Sequence, residues 1–449
     1  MTNPLEVFIK ISYDYIRIEG MIVARKSKKL EEIKELIKNN KENINLEKLN
    51  TSELEVLTKK FAMITDERYQ PNVLHNIGEV IMIVILAVLA NCDEWKKIEI
   101  FCQKKKEWLK NFLSLKNGIP SIDTIQRVLI IIKPVELYKV CINYFIEKIE
   151  ILSPKKSDEV DIRSLDGKTT NGSSRKKTDQ DEIKSINTMS IYSTMYGVSL
   201  THDYIGEKSN EIPMGPELIK KLNAPNCIFT WDALNTQVKT VAAISTEADY
   251  VGALKKNQQT FYNEVKEFLD DKDVMTKIIE NEQYLKIVKK EHNAIVTREY
   301  YMTNDIDWFY DKNKWKKLKS FGKEDKTIEK LDGTISYETR YFITSLNEDI
   351  DLFSYAIKAH WGVENNLHAP LDIVFKEDKN KTLEKNEAKS LGVIRRIVLI
   401  ILKLAQPYYG DSLSSMRYKL SLDFDNEIEK IFKLLDMTAL KRQLISKSD

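Results

Sequence analysis

CIFTWDALNTQVKTVAAISTEADYVGALK, residues 227–255, decides the fold. Its opening CIFTW is a short apolar run that stops at Asp232, the look of a central strand with a polar tip. TQVKTVAAISTE then reads as a helix and ADYVGALK as a further strand. Just upstream, TMSIYSTMYGVSLTHDYIGE (188–207) reads as a two-stranded hairpin turning at Tyr196-Gly197. PELIKKL reads as a helix opened by Pro216, a favoured first helical position. Strands alternating with helices after an opening hairpin predict a mixed α/β sheet.

Outward from that centre the texture changes twice. Residues 154–186 lead through Val160-Asp161-Ile162 into LDGK and a Gly/Ser/Lys-rich loop. Residues at about 260–340 are charged and aromatic, with strands at YLKIVKK, AIVTREYYM and TRYFITSL, and read as a β-rich insertion. Helices are expected at 351–372 and 386–406. Residues 64–153 read as all helical, with VIMIVILAVLA (80–90) a buried helix, since a membrane span needs about twenty apolar residues. In NGIPSIDTIQRVL (117–129), Ser121 is placed to N-cap a short helix that leaves Arg127 partly outward. That helix either packs or docks on DNA. Residues 1–63 read as a charged helical extension whose apolar stripe is Leu30, Ile33, Leu36 and Ile37, and 409–449 as a helical tail. RKSKKL (25–30) is either a solvated face or a phosphate-contacting cluster.

The bulk numbers exclude more than they assign. A length of 449 residues suggests two to three domains. The 70 basic and 68 acidic residues leave a net charge of +2, so a nucleic-acid role rests on where the basic residues cluster. Cys92, Cys102, Cys141 and Cys227 lack metal-site or disulfide-framework spacing and fit free thiols in a reducing cytosol. Pro4 and Glu6 stand where a secretory leader would be apolar, which points to a cytoplasmic protein.

Chemistry concentrates on three carboxylates. Asp166 closes the first strand of the α/β region, Asp232 ends CIFTW, and Glu364 lies in HWGVENNLHAPLD (360–372). They are separated by 66 (232 − 166) and 132 (364 − 232) residues, so only folding brings them together. Converging carboxylates repel unless a cation neutralises them. Oxygen ligands suit Mg²⁺ or Mn²⁺, and two such ions suit phosphodiester chemistry. His360 and His368 flank Glu364 at four-residue spacing, one helical face. The pattern lacks the HExxH spacing of a zinc site. His360 is expected beside a scissile phosphate or holding Glu364, and His368 in a structural role.

The chain resembles bacterial insertion-sequence DDE transposases of the H-repeat-associated type. The matching pieces are LAVLANCDEWKKIEIF with NGIPSIDTIQRVL, LDGKTTNGS, EKSNEIPMGPELIKKL, TWDALNTQ, ADYVGALKKNQ, HWGVENNLH with LDIVFKED, and IRRIVLIILK, in the family's order across residues 64–403. The resemblance implies a ribonuclease-H-like catalytic core over 154–408, preceded by an associated helical domain at 64–153. It carries the catalytic and metal-binding triad onto Asp166, Asp232 and Glu364, with two Mg²⁺ or Mn²⁺ ions. It implies double-stranded DNA as partner, both transposon terminal inverted repeats and target. A homodimer or higher oligomer on DNA, associated with the bacterial nucleoid, follows from joining two ends. Ala369-Pro370 departs from the family, which has an aromatic after the second histidine. Proline removes the backbone bond to residue 366, so the helix is expected to end or kink after Glu364.

Around the triad, Lys168 and Gln237 are expected to support the site. Arg127, Arg175, Lys176, Lys177, Lys208, Asn210, Lys255, Asn257, Gln258, Lys316 and Lys317 are the expected DNA contacts. Trp315 either stacks on an unpaired base or fills the core.

Overall fold

The computed structural model describes residues 25–445 except 27, 179, 180, 184, 207–210, 292, 380, 381 and 383. Seven helices precede most of the sheet: α1 (Lys29–Asn39), α2 (Ser52–Phe61), α3 (Ile77–Leu89), α4 (Trp95–Lys104), α5 (Lys106–Leu109), α6 (Ile122–Ile131) and α7 (Pro134–Leu152). The apolar run becomes α3, capped by the Asn76 side chain and buried along almost its whole length. A helix hydrophobic all round belongs inside a core. A Cβ on Gly78 would stand 2.4 Å from the Thr58 carbonyl oxygen, so this glycine lets α2 and α3 touch. Ser121 caps α6 as expected, its Oγ accepting from the Thr124 N–H at 3.2 Å.

The strands are β1 (Arg25–Lys26), β2 (Glu159–Thr170), β3 (Arg175–Thr178), β4 (Asp181–Ile183), β5 (Ile186–Ser193), β6 (Val198–Tyr204), β7 (Cys227–Trp231), β8 (Asp249–Leu254), β9 (Tyr284–Glu291), β10 (Ala294–Thr303), β11 (Ser320–Lys330) and β12 (Ile335–Thr344). One large sheet runs β6-β5-β2-β7-β8-β12-β11-β10-β9, with β1 beside β2, while β3 and β4 pair separately. β6, β5 and β2 are antiparallel neighbours. β7 and β8 run parallel to β2. The hairpin turns at Tyr196-Gly197 as read, with Gly197 at φ +67°.

The region read as a β-rich insertion holds its expected strands, as β9, β10 and β12, but is built differently around them. It begins with two helices, α10 (Gln259–Asp270) and α11 (Lys272–Glu280). Its strands then extend the main sheet, because β12 pairs with β8 from Tyr341↔Leu254 to Thr344↔Val251. A strand's unpaired backbone edge is a template for the next strand, and β12 takes it. The helix expected to open at Pro216 also differs: α8 (Glu211–Lys221) starts earlier and contains that proline. α9 is short, Val238–Ala242.

Helices cover both sheet faces. Leu218, Val241, Phe261, Val265 and Ile278 of α8–α11 pack on one. Phe353, Ala356 and Ile357 of α12 (Ile350–His360) pack on the other, against Ile162, Ile228 and Val251. Gly322 in β11 makes room: a Cβ there would lie 2.1 Å from Phe353 Cζ. The remaining helices are α13 (Ala369–Ile373), α14 (Lys385–Tyr409), α15 (Leu413–Leu422), α16 (Phe424–Leu434) and α17 (Met437–Ile445). Residues from α1–α7 and α14–α17 share one hydrophobic core with Tyr192, Met195, Tyr196 and Val198. The segments read as extension and tail therefore contribute buried residues: Leu30, Ile33, Ile37, Leu54 and Leu57 at one end, Met416, Ile428 and Leu440 at the other. Lys29 is tied to Glu159 in a fully buried pair at 2.6 Å, fixing α1 to the start of β2. Among the described residues no helix is long and apolar enough to cross a membrane.

Candidate active site

The two aspartates meet because β2 and β7 are parallel and in register, Ser164 opposite Thr230 and Leu165 opposite Trp231. The next residue on each is Asp166 and Asp232. Side chains alternate along a strand, so Ile162, Ser164 and Asp166 share a face, as do Ile228, Thr230 and Asp232. That is the face under α12. Thr230 Oγ1 donates to Ser164 Oγ at 3.2 Å, one step below the carboxylates. Asp166 is not the strand end the sequence suggested: β2 continues to Thr170, with Asp166 opposite Ser190 on β5. Asp232 does end its strand, and its Oδ1 accepts from Asn235 N at 3.3 Å and Nδ2 at 3.0 Å.

Glu364 arrives on a π-turn. α12 ends at His360 with a turn at Trp361, and the chain then stays helical through Glu364–His368 and on into α13. The Ala369 N–H donates five residues back to the Glu364 carbonyl. Pro370 has no N–H to offer the Asn366 carbonyl. Lys403 Nζ donates to that carbonyl instead, at 2.6 Å. The proline is thus accommodated at the start of α13, where a missing N–H costs little. Local widening of this kind recurs at functional sites.

The two histidines make different contacts. His368, expected to be structural, is buried with Nδ1 3.3 Å from Glu364 Oε2 and 3.5 Å from Asp166 Oδ2. Asp166, Glu364 and His368 offer ligand atoms all within 4.8 Å of one another. His360 does not hold Glu364; its Nδ1 is 3.0 Å from Thr230 Oγ1. It lines a small pocket with Asp232, Lys255 and Arg340. Burial pushes the His360 imidazole down to about 4 against the pull of Asp232. Burial, with Arg396 and Lys168, pushes His368 down to about 3. Burial also holds His202 well below its usual range. All three are neutral near pH 7. The unfolded chain takes up these protons near pH 6.5, whereas in the folded chain His360 does so only near 4 and His368 near 3. Their stabilising contribution is therefore whole above 6.5 and lost as pH falls through that window. Urea midpoints should decline as pH is lowered from about 6.5 to 5, above the usual carboxylate range. A midpoint that holds steady there contradicts the neutral, buried state.

The other expected residues divide. Lys168 is nearly buried and its Nζ donates to Asp372 Oδ2 at 2.5 Å. Gln237 Oε1 accepts from Gln258 Nε2 at 3.2 Å, and Asn257 Nδ2 donates to the Ala233 carbonyl at 2.6 Å. These amides brace the turn after Asp232. Lys255 is exposed at the same pocket, and Arg127 is exposed on α6, away from the carboxylates. Lys316 and Lys317 are occupied elsewhere: Lys316 Nζ donates to the Ile244 carbonyl at 2.7 Å, and Lys317 Nζ to the carbonyls around Ala248. They tie down the loop before β8, and Lys316 is also exposed. Trp315 is buried against Phe261 and fills the core. Arg175, Lys176 and Lys177 lie on β3. Lys208 and Asn210 fall outside the described residues. Sequence reasoning missed Asp372, four residues beyond His368 on the same helical stripe, a spacing that offers the only signal for it.

Residues 159–401 match the family model described as "Transposase DDE domain", and residues 58–145 match "DDE_Tnp_1-associated". The chain belongs to the DDE transposase family. It is 30% identical over 382 residues to "Putative transposase YncI" of Escherichia coli O157:H7, covering 82% of this chain and 93% of that one. It is 30% identical over 364 residues to "H repeat-associated putative transposase YhhI" of Escherichia coli K12, covering 78% and 91%. A piggyBac transposase synaptic complex with hairpin DNA aligns over 95% of this chain and 86% of its own, at 9% identity and a TM-score of 0.37.

Proposed function

We propose that this chain is a DNA transposase that hydrolyses phosphodiester bonds at transposon ends and joins the freed 3′-hydroxyls to target DNA. The observation that carries the reading is the approach of Asp166 and Asp232 on neighbouring parallel strands, under the helix that brings Glu364. The order β6-β5-β2-β7-β8, antiparallel then parallel, supports a ribonuclease-H-like core. The donor set fits hard divalent ions: Asp166 and Glu364 converge within 4.8 Å with His368, and Asp232 stands on the adjoining strand. Two Mg²⁺ or Mn²⁺ ions held by the three carboxylates would supply charge neutralisation and Lewis acidity.

The chain's own groups then hold the geometry. Neutral His368 can donate to one carboxylate while lying within 3.5 Å of the other. Neutral His360, bonded to Thr230, sets the end of α12 beside Asp232. In the first step a water oxygen bonds to phosphorus as the P–O3′ bond breaks, leaving a 3′-hydroxyl and a 5′-phosphate. In the second, that hydroxyl bonds to a target phosphorus as its P–O3′ bond breaks. No covalent protein–DNA link forms. Joining two ends in one event calls for a dimer or larger assembly on DNA, and the setting is the cytoplasm, on the nucleoid.

The test uses the chain with DNA carrying its flanking inverted repeats. Cleaved and joined products are expected in Mg²⁺ or Mn²⁺, none in EDTA, and recovery when the metal is restored. Cleavage without joined products on a gel would make it a nuclease. Binding without cleavage would make it a DNA-binding relative of its family.

A further inference from the structure

A groove of about 450 Å³ runs beside the Glu364 turn. Tyr355, Lys358, Gly362 and Asn366 line it, while His360, Glu364 and His368 do not, so it lies on the other side of this helix from the carboxylates. Its far wall is the start of α1, with Lys28, Glu31 and Lys34, and Lys403 of α14 is in its lining. Four lysines thus face one carboxylate, and Glu31 is already bridged to Lys34 at 2.7 Å.

The lysines have donor capacity to spare. Lys403 Nζ donates to the Gly197 carbonyl at 3.1 Å and to Asn366 at 2.6 Å, which uses two of its three hydrogens. Burial, and then Lys34, push this ammonium down to about 7. Lys358 is also held below the usual lysine range, by burial and then by neighbouring Lys289. Gathering like charges is unfavourable until an anion joins them. The Thr194 hydroxyl is buried without a partner. It lies 4.0 Å from where a Cβ on Gly362 would stand, at the groove wall. A spaced row of cations and a free hydroxyl suits a ligand with repeated phosphates.

We infer that this groove takes the phosphodiester backbone of the DNA substrate, one helix width away from the bond that is cut. The inference rests on the transposase reading and adds a surface to it. It also gives RKSKKL a partial role: Lys28 faces the groove, whereas Lys29 is spent on Glu159.

The experiment compares DNA binding by the full chain and by the triple variant Lys28→Gln, Lys34→Gln, Lys358→Gln over a salt series. Each phosphate contact contributes roughly 0.9 to the slope of log affinity against log salt, so the slope should become shallower by about 2.7. At about 0.15 M salt that is a loss on the order of a hundredfold. Glu31→Gln, which removes the groove's one carboxylate, should bind more tightly. A control triple at exposed lysines elsewhere, Lys59→Gln, Lys96→Gln, Lys97→Gln, should change far less. Unchanged affinity and slope in the groove variant, or an equal loss in the control, overturns the groove while leaving the transposase reading in place. Wild-type chain that binds no DNA overturns both.

Discussion

Asp232→Asn is expected to abolish metal-dependent cleavage of end DNA while leaving the fold intact. The two halves of this result have separate causes. Asp232 serves as an N-cap, with Oδ1 accepting from the Asn235 backbone and side chain. Asparagine keeps an oxygen in that place and caps about as well as aspartate. What it loses is the negative charge and one oxygen ligand beside Asp166. Outer-shell partners of metal sites cost roughly 10- to 100-fold in activity when changed, and a direct ligand should cost more. Asp232→Ala would confuse the reading, because it also removes the cap, worth about 1 kcal/mol. The measurement pairs a single-turnover cleavage assay with a thermal melt. Undiminished cleavage by a normally folded Asn variant would remove Asp232 from the site.

Asp232 was legible in the sequence for a physical reason. A strand core of five apolar or β-favouring residues that ends on a carboxylate places that charge at the sheet's edge, wherever the strand sits. Asp166 was legible only as a position, since its strand runs on past it and its partner β5 follows a polar loop. The histidine stripe holds at one end only: His368 meets Glu364 at its four-residue spacing. α12 ends at His360 and the chain turns at Trp361, which leaves His360 with the Thr230 hydroxyl and beside Asp232. The carbonyls that Lys316 and Lys317 bond, near Ile244 and Ala248, were not legible because they lie about seventy residues away. The same holds for β9–β12, whose attachment to β8 is made by backbone groups that carry no residue signature.

The largest expected loss of stability is at Glu377. Arg396 Nη1 donates to Glu377 Oε1 and to the Gly392 carbonyl, both at 2.9 Å, and each side chain of the pair is 3% exposed. Burial alone would raise the Glu377 carboxyl; Arg396, Arg395 and Lys168 outweigh it and hold the group below the usual carboxylate range. Arg395 is buried nearby and depends on the same negative charge. The pair also joins α14 to the segment just after α13, and α13 carries Asp372, the partner of Lys168 next to Asp166. Glu377→Ala leaves two guanidinium groups in a dry interior without their main counter-charge, with Asp93 still acting on Arg395. Removing one member of a buried pair costs about 3–5 kcal/mol. Glu377→Ala combined with Arg396→Met should cost less than the two single changes added together, by about 1–3 kcal/mol, because the second change removes one of the stranded charges. Urea unfolding of the four proteins gives the coupling directly. Strict additivity would mean that the two side chains stabilise the fold independently, and that the segment behind the Glu364 turn is held by its apolar neighbours instead.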